Sequence, residues 1–258
     1  MLNHWQGRPV RAWAEVWGVP FLEIHRRVGS TNDQLMGIAE VKGASFSVVI
    51  ADEQTAGRGR AGTRWHSPAG SGLLMSVLLP ALSAPDPYAP LIVGLAVARA
   101  VETLADGVRA QIKWPNDVFI EGGKVAGILC ESAGEWMVAG IGVNIRTPVE
   151  GFPPEIADRA SSLEETCRLT LAPNQVAGVL ISELRTVKAL VDDFRPLGRL
   201  PSGLHEELRS RDALSGFLVM TQQEGGGVAR GIDERGALIL ERDDGSRVRV
   251  VSGSVTPG

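Results

Sequence analysis

The sequence predicts an α+β fold, in which a large domain with a mixed sheet is followed by a small β domain. Two segments, 90–104 and 173–191, are long and apolar enough for helices, and they stand among short apolar runs typical of strands. From Gly216 onward, four or five short strands alternate with glycine-containing turns. The 258 residues provide enough chain for one large core and a smaller second one.

The elements of the large domain follow in order. Residues 1–20 are rich in tryptophan and predict a short helical lead-in that packs on the domain. Ser30 is a suitable N-cap for a helix that continues to about Glu40. Glu121-Gly122-Gly123 is a typical hairpin turn. Short apolar or alternating runs predict strands at about 47–51, 72–79, 109–113, 117–120, 124–131 and 136–143.

Residues 195–201 contain two prolines and a glycine, and they predict the start of the connection between the two domains. We therefore expect a catalytic domain over 1–208 and a β domain over 209–258.

The composition excludes several classes of protein. A formal net charge of -4 argues against a nucleic-acid partner, for which a clearly basic domain is expected. The two cysteines form neither a disulfide framework nor a metal spacing, and the four histidines are widely separated. No apolar run reaches the ~18 residues of a membrane span, and the first residues lack the pattern of a signal peptide. We therefore expect a cytoplasmic protein without a membrane partner.

Lysine is rare in this chain. The 26 basic residues include only four lysines, of which Lys113 and Lys124 lie close together in the sequence. Because arginine serves general solubility here, these two lysines indicate positions where an ammonium group is needed.

The glycine-arginine loop 57–62, Gly-Arg-Gly-Arg-Ala-Gly, follows a predicted strand. Its glycines match a dinucleotide-binding fingerprint, but residues 63–72 cannot form the helix that this fold requires. A P-loop fails because Thr63-Arg64 stands where Lys-Ser/Thr is needed. Arg58 and Arg60 instead predict a mobile loop that encloses an anion, since a guanidinium fits phosphate well. The alternative is a solvated turn with incidental arginines.

Six short motifs, taken together in this order and spacing, resemble those of the biotin protein ligases. They are Gly29-Ser30-Thr31-Asn32, residues 53–60, Trp65-His66-Ser67-Pro68, Lys113-Trp114-Pro115-Asn116-Asp117, residues 123–129 and residues 140–144. The resemblance covers about 21–145, and the C-terminal β module extends it to about 252. Because the first motif begins at Gly29, the chain is similar to the form without an N-terminal DNA-binding domain.

The resemblance implies a catalytic domain of the biotin/lipoate ligase type and a small SH3-like β-barrel. It implies that biotin and ATP, with Mg²⁺, form biotinyl-5′-AMP and pyrophosphate. Biotin then passes to one lysine of a biotin carboxyl carrier protein of acetyl-CoA carboxylase, and AMP is released. The usual arrangement in this family is a homodimer.

The resemblance also implies roles for individual residues. Lys124 and Arg60 are the expected catalytic cations, Lys113 supports the site, and Asp117 belongs to the Mg²⁺-ATP region. The expected biotin contacts are Ser30, Thr31, Asn32, Gln54, Arg58, Gly59, Arg60, Lys124 and Gly127. The expected contacts of ATP or the adenylate are Arg58, Trp65, Asn116 and Asn144.

Some of these residues also have structural interpretations. Ser30 and Asn32 are typical helix caps, and Pro115-Asn116-Asp117 is a good turn sequence. Trp114 is more typical of a core residue than of a ligand contact.

One position departs from the family pattern, since Thr63 stands where the family commonly has arginine. Arg64 follows one residue later, which in an extended segment points the side chain to the opposite face, so we leave Arg64 outside the core site.

Two other functions stay open. A lipoate or octanoyl ligase or transferase of the same superfamily is the nearest enzyme, although the Gly-Arg-Gly-Arg and Lys-Trp-Pro-Asn-Asp motifs favour biotin. A non-catalytic biotin-binding regulator is the other, and the presence of Lys124 argues against it.

Overall fold

A seven-stranded mixed sheet forms the centre of the large domain in the computed structural model, which describes residues 1–81, 88–192 and 198–258. Its strands are β3 (Leu22–His25), β4 (Val48–Ala51), β5 (Gly72–Pro80), β6 (Gln111–Lys113), β7 (Asp117–Ile120), β8 (Gly123–Ala133) and β9 (Trp136–Asn144). They lie in the order β3-β4-β5-β9-β8-β7-β6. The pair β3–β4 is parallel and the other pairs are antiparallel. The predicted strands are thus confirmed, with shifted ends.

Two long helices, α3 (Ala89–Leu104) and α6 (Pro173–Asp192), build the main core against this sheet. Leu91 and Leu95 of α3 are fully buried. Gly94 of the same helix faces the sheet, where Ile128 Cδ1 lies 3.7 Å from the position that a Cβ would take. Burial of such apolar side chains is the main favourable term in folding.

A shorter helix, α2 (Thr31–Lys42), packs with a separate small cluster that includes Leu35, Val49 and Val138. It contacts β4, β5, β8 and β9. The candidate site lies next to its N-terminus.

The N-terminal segment is only partly the predicted helical lead-in. A two-stranded hairpin, β1 (His4–Trp5) and β2 (Arg8–Pro9), precedes helix α1 (Val10–Trp17). The tight turn uses positive φ angles at Gln6 and Gly7, which delays the helix. The three tryptophans of this segment are buried, and Trp13 and Trp17 stack with their ring centroids 5.3 Å apart, so the predicted packing on the domain is confirmed.

Three helices were not predicted: α4 (Pro154–Ala157), α5 (Leu163–Cys167) and α7 (Ser202–Ser210). Each is too short to show clear periodicity in the sequence. Part of the predicted connection, 195–197, lies outside the described residues. Helix α7 runs across the expected boundary between 208 and 209.

The C-terminal strands form a five-stranded antiparallel sheet in the order β13-β12-β11-β10-β14. They are β10 (Leu218–Thr221), β11 (Gly225–Ile232), β12 (Leu238–Glu241), β13 (Arg247–Val250) and β14 (Val255–Pro257). Trp114 connects this sheet to the large domain, since its Nε1 donates to Gly236 O at 3.0 Å. Trp114 is buried, as expected for a core residue. None of the described helices has the length and apolarity needed to cross a membrane.

Candidate active site

A cavity of about 350 Å³ opens on the sheet face beside the N-terminus of α2. All the residues that the sequence analysis assigned to the site line it, although they come from segments far apart in the chain. They are Ser30, Thr31, Asn32, Gln54, Arg58, Gly59, Arg60, Trp65, Asn116, Asp117, Lys124, Gly127 and Asn144, and Lys113 joins them.

One end of the cavity, here called the amide end, is lined by Ser30, Thr31, Asn32 and Gln54 and is supported from behind by the buried Ser76. Gln54 Oε1 accepts hydrogen bonds from Thr31 N at 2.7 Å and from Thr31 Oγ1 at 3.0 Å. Ser30 occupies the N-cap position of α2, but its side chain makes no capping hydrogen bond. The Gln54 side chain thus satisfies an N–H that helix termini leave unpaired, and Ser30 Oγ is not used for capping.

Ser76 supports the amide end from outside the cavity lining, and the sequence analysis missed it. Its fully buried hydroxyl lies 2.7 Å from Thr31 Oγ1 and 2.6 Å from Asn32 Oδ1. The Asn32 amide donates to Glu131 Oε2 at 2.6 Å and to Leu129 O at 3.3 Å. These bonds fix the orientation of the Asn32 amide. One signal was available, because Ser76 is the single polar residue in the apolar run 73–79.

Arg58 is held beside this network by two carboxylates. Its guanidinium makes a two-pronged contact with Asp33, with Nη1 2.9 Å from Oδ2 and Nη2 2.5 Å from Oδ1, and it reaches Glu131 at 3.4 Å. The hydrogen bond from Arg58 lowers the pKa of Asp33 below its usual value. Arg58 therefore ties the glycine-arginine loop to α2 and β8.

Trp65 lies on a floor made of bare backbone. Gly127 and Gly142 are paired across β8 and β9. A Cβ on Gly142 would lie 2.4 Å from Trp65 Cε2, and one on Gly127 would lie 2.7 Å from Cζ3. In the same way, a Cβ on Gly140 would lie 2.4 Å from Asn32 Oδ1. Only glycine at these positions admits the two side chains.

The other end, here called the cationic end, consists of Arg60, Lys113, Asp117, Lys124 and Arg159. Lys124 Nζ lies 2.6 Å from Asp117 Oδ1 and 5.5 Å from the Trp65 ring centroid. Asp117 Oδ1 has no hydrogen-bond partner among the described residues, so its contact with Lys124 is Coulombic rather than directional. Burial lowers the pKa of Arg60, and Asp117 opposes this. Burial also lowers the pKa of Lys113; Asp117 opposes this, and Lys124 and Arg159 add to it.

The backbone of Lys124 is held from the side by residues 159–161. Its N–H donates to Arg159 O at 2.7 Å, and its carbonyl accepts from Ser161 N at 2.9 Å. Asn144 donates its side-chain amide to Lys124 O at 3.3 Å and to Ser161 O at 3.0 Å. Asn144 thus positions Lys124. Asn116 makes a similar bond, from Nδ2 to Ile128 O at 2.7 Å, so its turn is both structural and part of the cavity wall.

Several lining residues lie outside the assigned set, including Arg64, Arg159, Ser254 and Thr256. The placement of Arg64 corrects our expectation that it lies outside the site. The segment after the 3-10 turn at Arg60–Gly62 runs along the cavity, and both Thr63 and Arg64 line it. Arg159 and β14 belong to no motif, and their approach to the cavity depends on long-range packing.

The cavity is strongly cationic. Among the described lining residues, six side chains are basic and Asp117 is the one carboxylate. The basic residues are Arg58, Arg60, Arg64, Lys113, Lys124 and Arg159. Such a surplus of positive charge suits a polyanionic ligand.

Comparisons with known proteins agree with this geometry. Residues 25–147 match the Biotin/lipoate A/B protein ligase family, and residues 218–256 match the Biotin protein ligase C terminal domain. The chain is 35% identical over 242 residues to the Biotin--[acetyl-CoA-carboxylase] ligase of Mycobacterium tuberculosis, which covers 90% of this chain and 86% of that protein. The chain belongs to the biotin protein ligase family.

Members of this family are ligase enzymes, and two further relatives describe its range. The Bifunctional ligase/repressor BirA of Bacillus subtilis is 32% identical over 241 residues, which is 86% of this chain and 69% of that protein. The biotin protein ligase of Aquifex aeolicus, solved with biotin and ATP, has a TM-score of 0.81 at 27% identity. That alignment covers 93% of this chain and 100% of the Aquifex chain, which confirms the α+β fold with its C-terminal β domain.

Proposed function

We propose that this protein joins biotin and ATP into biotinyl-5′-AMP and then transfers biotin to a lysine of a biotin carboxyl carrier protein. In the first step a biotin carboxylate oxygen attacks the α-phosphorus, and pyrophosphate leaves. In the second step the carrier amine attacks the biotinyl carbonyl, loses a proton, and AMP leaves. The observation that carries the proposal is the single cavity that joins a neutral amide end to a strongly cationic end.

The amide end supplies the groups that a ureido ring needs, since such a ring presents both donors and acceptors. Ser30 Oγ makes no capping bond, and the Gln54 side chain lines the cavity next to it. Asn32 and Thr31 are bound to other protein groups, so we assign them mainly to holding this wall in place. A wall fixed before binding costs less ordering when the ligand arrives.

The cationic end supplies stabilisation for the first step, which brings two anions together and builds charge on the α-phosphate. Lys124 is fixed on a strand by the backbone bonds to 159–161, and its ammonium lies between Asp117 and the Trp65 ring. Cations that are positioned before reaction lower the barrier without reorganisation. Arg60 faces the same space and is the second catalytic cation in this proposal.

The glycine-arginine loop retains the adenylate between the two steps. Gly59 belongs to a tight turn, because a Cβ there would lie 2.5 Å from Thr63 Oγ1. Its arginines stand over the cavity, where they exclude water from the mixed anhydride. Trp65, Gly127 and Asn116 complete the walls around the adenylate.

Mg²⁺ is expected to accompany the triphosphate. The described residues contain no cluster of three or more metal-binding side chains, but Mg²⁺ is commonly held by one or two carboxylates together with substrate phosphates. Asp117, the carboxylate of the cavity, fits that role. When bound, the ion would neutralise phosphate charge.

The remaining assignments complete the proposal. We propose a cytoplasmic homodimer with catalytic residues 1–208, a β domain 209–258 and no affinity for specific DNA. Light scattering measures the oligomeric state, and retention of an operator fragment in a gel shift would contradict the last point.

The decisive experiment mixes the purified protein with ATP, Mg²⁺, biotin and a carrier domain, and detects biotin on the carrier by mass spectrometry. We expect biotinylated carrier and equimolar AMP. Binding of biotin without any adenylate would favour the non-catalytic regulator, and adenylate without transfer would contradict the transfer step. Replacing biotin by lipoate should give no AMP, and strong AMP release with lipoate would favour the lipoate ligase alternative.

A further inference from the structure

Arg159 is a cavity residue whose side chain has no hydrogen-bond or ion-pair partner among the described residues. It lies in no motif, and it reaches the cavity because residues 159–161 bind the backbone of Lys124 on β8. Its side chain is exposed at the rim and makes no hydrogen bond or ion pair with the described residues. Its backbone therefore fixes it beside Lys124 while its guanidinium is available to a ligand.

Most of the cations that line the cavity with Arg159 have no ion pair with the described residues. Arg58 is paired with Asp33 and Glu131, and Lys124 is paired with Asp117. The other four of the six lining cations have no ion pair with the described residues: Arg60, Arg64, Lys113 and Arg159. Arg159 is close enough to Lys113 to lower its pKa further. Neighbouring cations in one cleft repel each other until an anion enters.

We propose that Arg159 binds the phosphoryl groups of ATP beyond the α-phosphate, an inference that rests on the proposed function. Lys124 is partly covered and lies between Asp117 and Trp65, which suits the α-phosphate and the biotin carboxylate. Arg159 is at the rim, where the more hydrated terminal phosphates and the departing pyrophosphate lie. A planar guanidinium there contacts two phosphate oxygens at once.

The test measures binding of ATP, AMP and inorganic tripolyphosphate by isothermal titration calorimetry, with biotin absent. Arg159→Ala should weaken ATP and tripolyphosphate roughly 10-fold, the order expected for one charge-assisted contact, and should change AMP less than about 2-fold. Arg159→Lys should recover part of the loss. Arg11→Ala, an exposed arginine on α1 outside the cavity lining, is the matched control and should bind as wild type does.

The inference is overturned if Arg159→Ala binds ATP and tripolyphosphate like wild type, if AMP weakens as much as ATP, or if wild type does not bind tripolyphosphate. Thermal melts of the Arg159 variants should lie at or slightly above wild type, because this side chain makes no hydrogen bond or ion pair with the described residues and its removal relieves repulsion of Lys113. Failure of the proposed function is seen separately, as wild-type protein that makes no biotinyl-adenylate. Tripolyphosphate binding decides the role of Arg159 in that case too.

Discussion

The amide end and the cationic end of the cavity are built on opposite principles. At the amide end, Thr31, Asn32 and Ser76 are buried and satisfy one another's polar atoms. At the cationic end, Lys113 and Arg159 lie near Lys124 without a carboxylate of their own. The polar groups of the amide end are therefore largely satisfied within the protein, whereas several cations of the cationic end have no ion-pair partner among the described residues. Specificity for a neutral ring follows from the first, and a driving force for a polyanion follows from the second.

The largest expected effect comes from Lys124→Ala at the cationic end. Adenylate formation should slow on the order of 10³-fold, as for loss of a positioned transition-state donor, while the biotin Kd changes less than about 3-fold. Biotin-dependent pyrophosphate release and calorimetry measure the two quantities. Lys188→Ala, on α6, is the control. Equal losses in adenylation rate and biotin affinity would show that Lys124 is a binding residue only. The cationic end would then not differ from the amide end in contributing to catalysis.

The next effect comes from Ser76→Ala at the amide end. Thr31 and Asn32 lose a shared buried partner, so the free energy of unfolding should fall by about 1–3 kcal/mol and biotin should bind more weakly. Ser47→Ala is a matched control, since Ser47 is fully buried but its hydroxyl has no hydrogen-bond partner among the described residues. Urea unfolding of both variants decides the point: equal destabilisation would show that the Ser76 network contributes nothing.

A smaller effect is expected from Asp33→Asn, which weakens the hold on Arg58. Escape of biotinyl-5′-AMP should accelerate about 3-fold, the range of a partly exposed ion pair, with little change in adenylation rate. Arg58 keeps the pKa of Asp33 in the folded protein below its value in the unfolded chain. The stabilisation from this ion pair is therefore fully present above the unfolded pKa, and it is lost as the pH falls through the lower folded pKa. Stopped-flow release of adenylate at pH 7.5 measures it, and an unchanged rate counts against the closing loop.

The smallest effect tests the repulsion between Lys113 and the neighbouring cations of the cationic end. Lys113→Met should raise the free energy of unfolding by about 0.5 kcal/mol at low salt, and the gain should shrink in high salt as the charges are screened. The Ser76→Ala effect should show no such dependence on salt. A salt-independent gain for Lys113→Met would mean that burial rather than repulsion dominates at this lysine.

The sequence predicted part of each end and missed one residue at each. Lys124, Gln54 and the glycine-arginine loop were identified because their motifs are local and each residue type has a specific chemistry. Ser76 and Arg159 were missed because neither lies in a motif. Ser76 becomes important only through its contacts with α2, and Arg159 only through the backbone bonds to Lys124. Both depend on contacts between segments distant in sequence, which periodicity does not report.

The fold shows the same division. Long helices and apolar strands were predicted correctly, since their periodic patterns decide burial. The N-terminal hairpin was missed, because the turn at Gln6 and Gly7 depends on two backbone angles rather than on a pattern. Arg64 was left outside the site, yet it lines the cavity, because the course of residues 63–65 past the cavity depends on the three-dimensional path of the loop. Local backbone conformation, more than composition, limited the prediction.

The paired glycines beneath Trp65 have a consequence for redesign. Because this surface is already peptide backbone, no substitution at Gly127 or Gly142 can make more room above it. Alanine at either position would place a methyl group in the space that the Trp65 indole occupies. Ligand analogues that are thicker than the natural ring system can therefore be accommodated only by trimming the surrounding side chains. The two positions are not equivalent: a methyl group at Gly142 would displace the Trp65 indole alone, whereas one at Gly127 would also press on the Lys124 ammonium, whose Nζ would lie 3.3 Å from it.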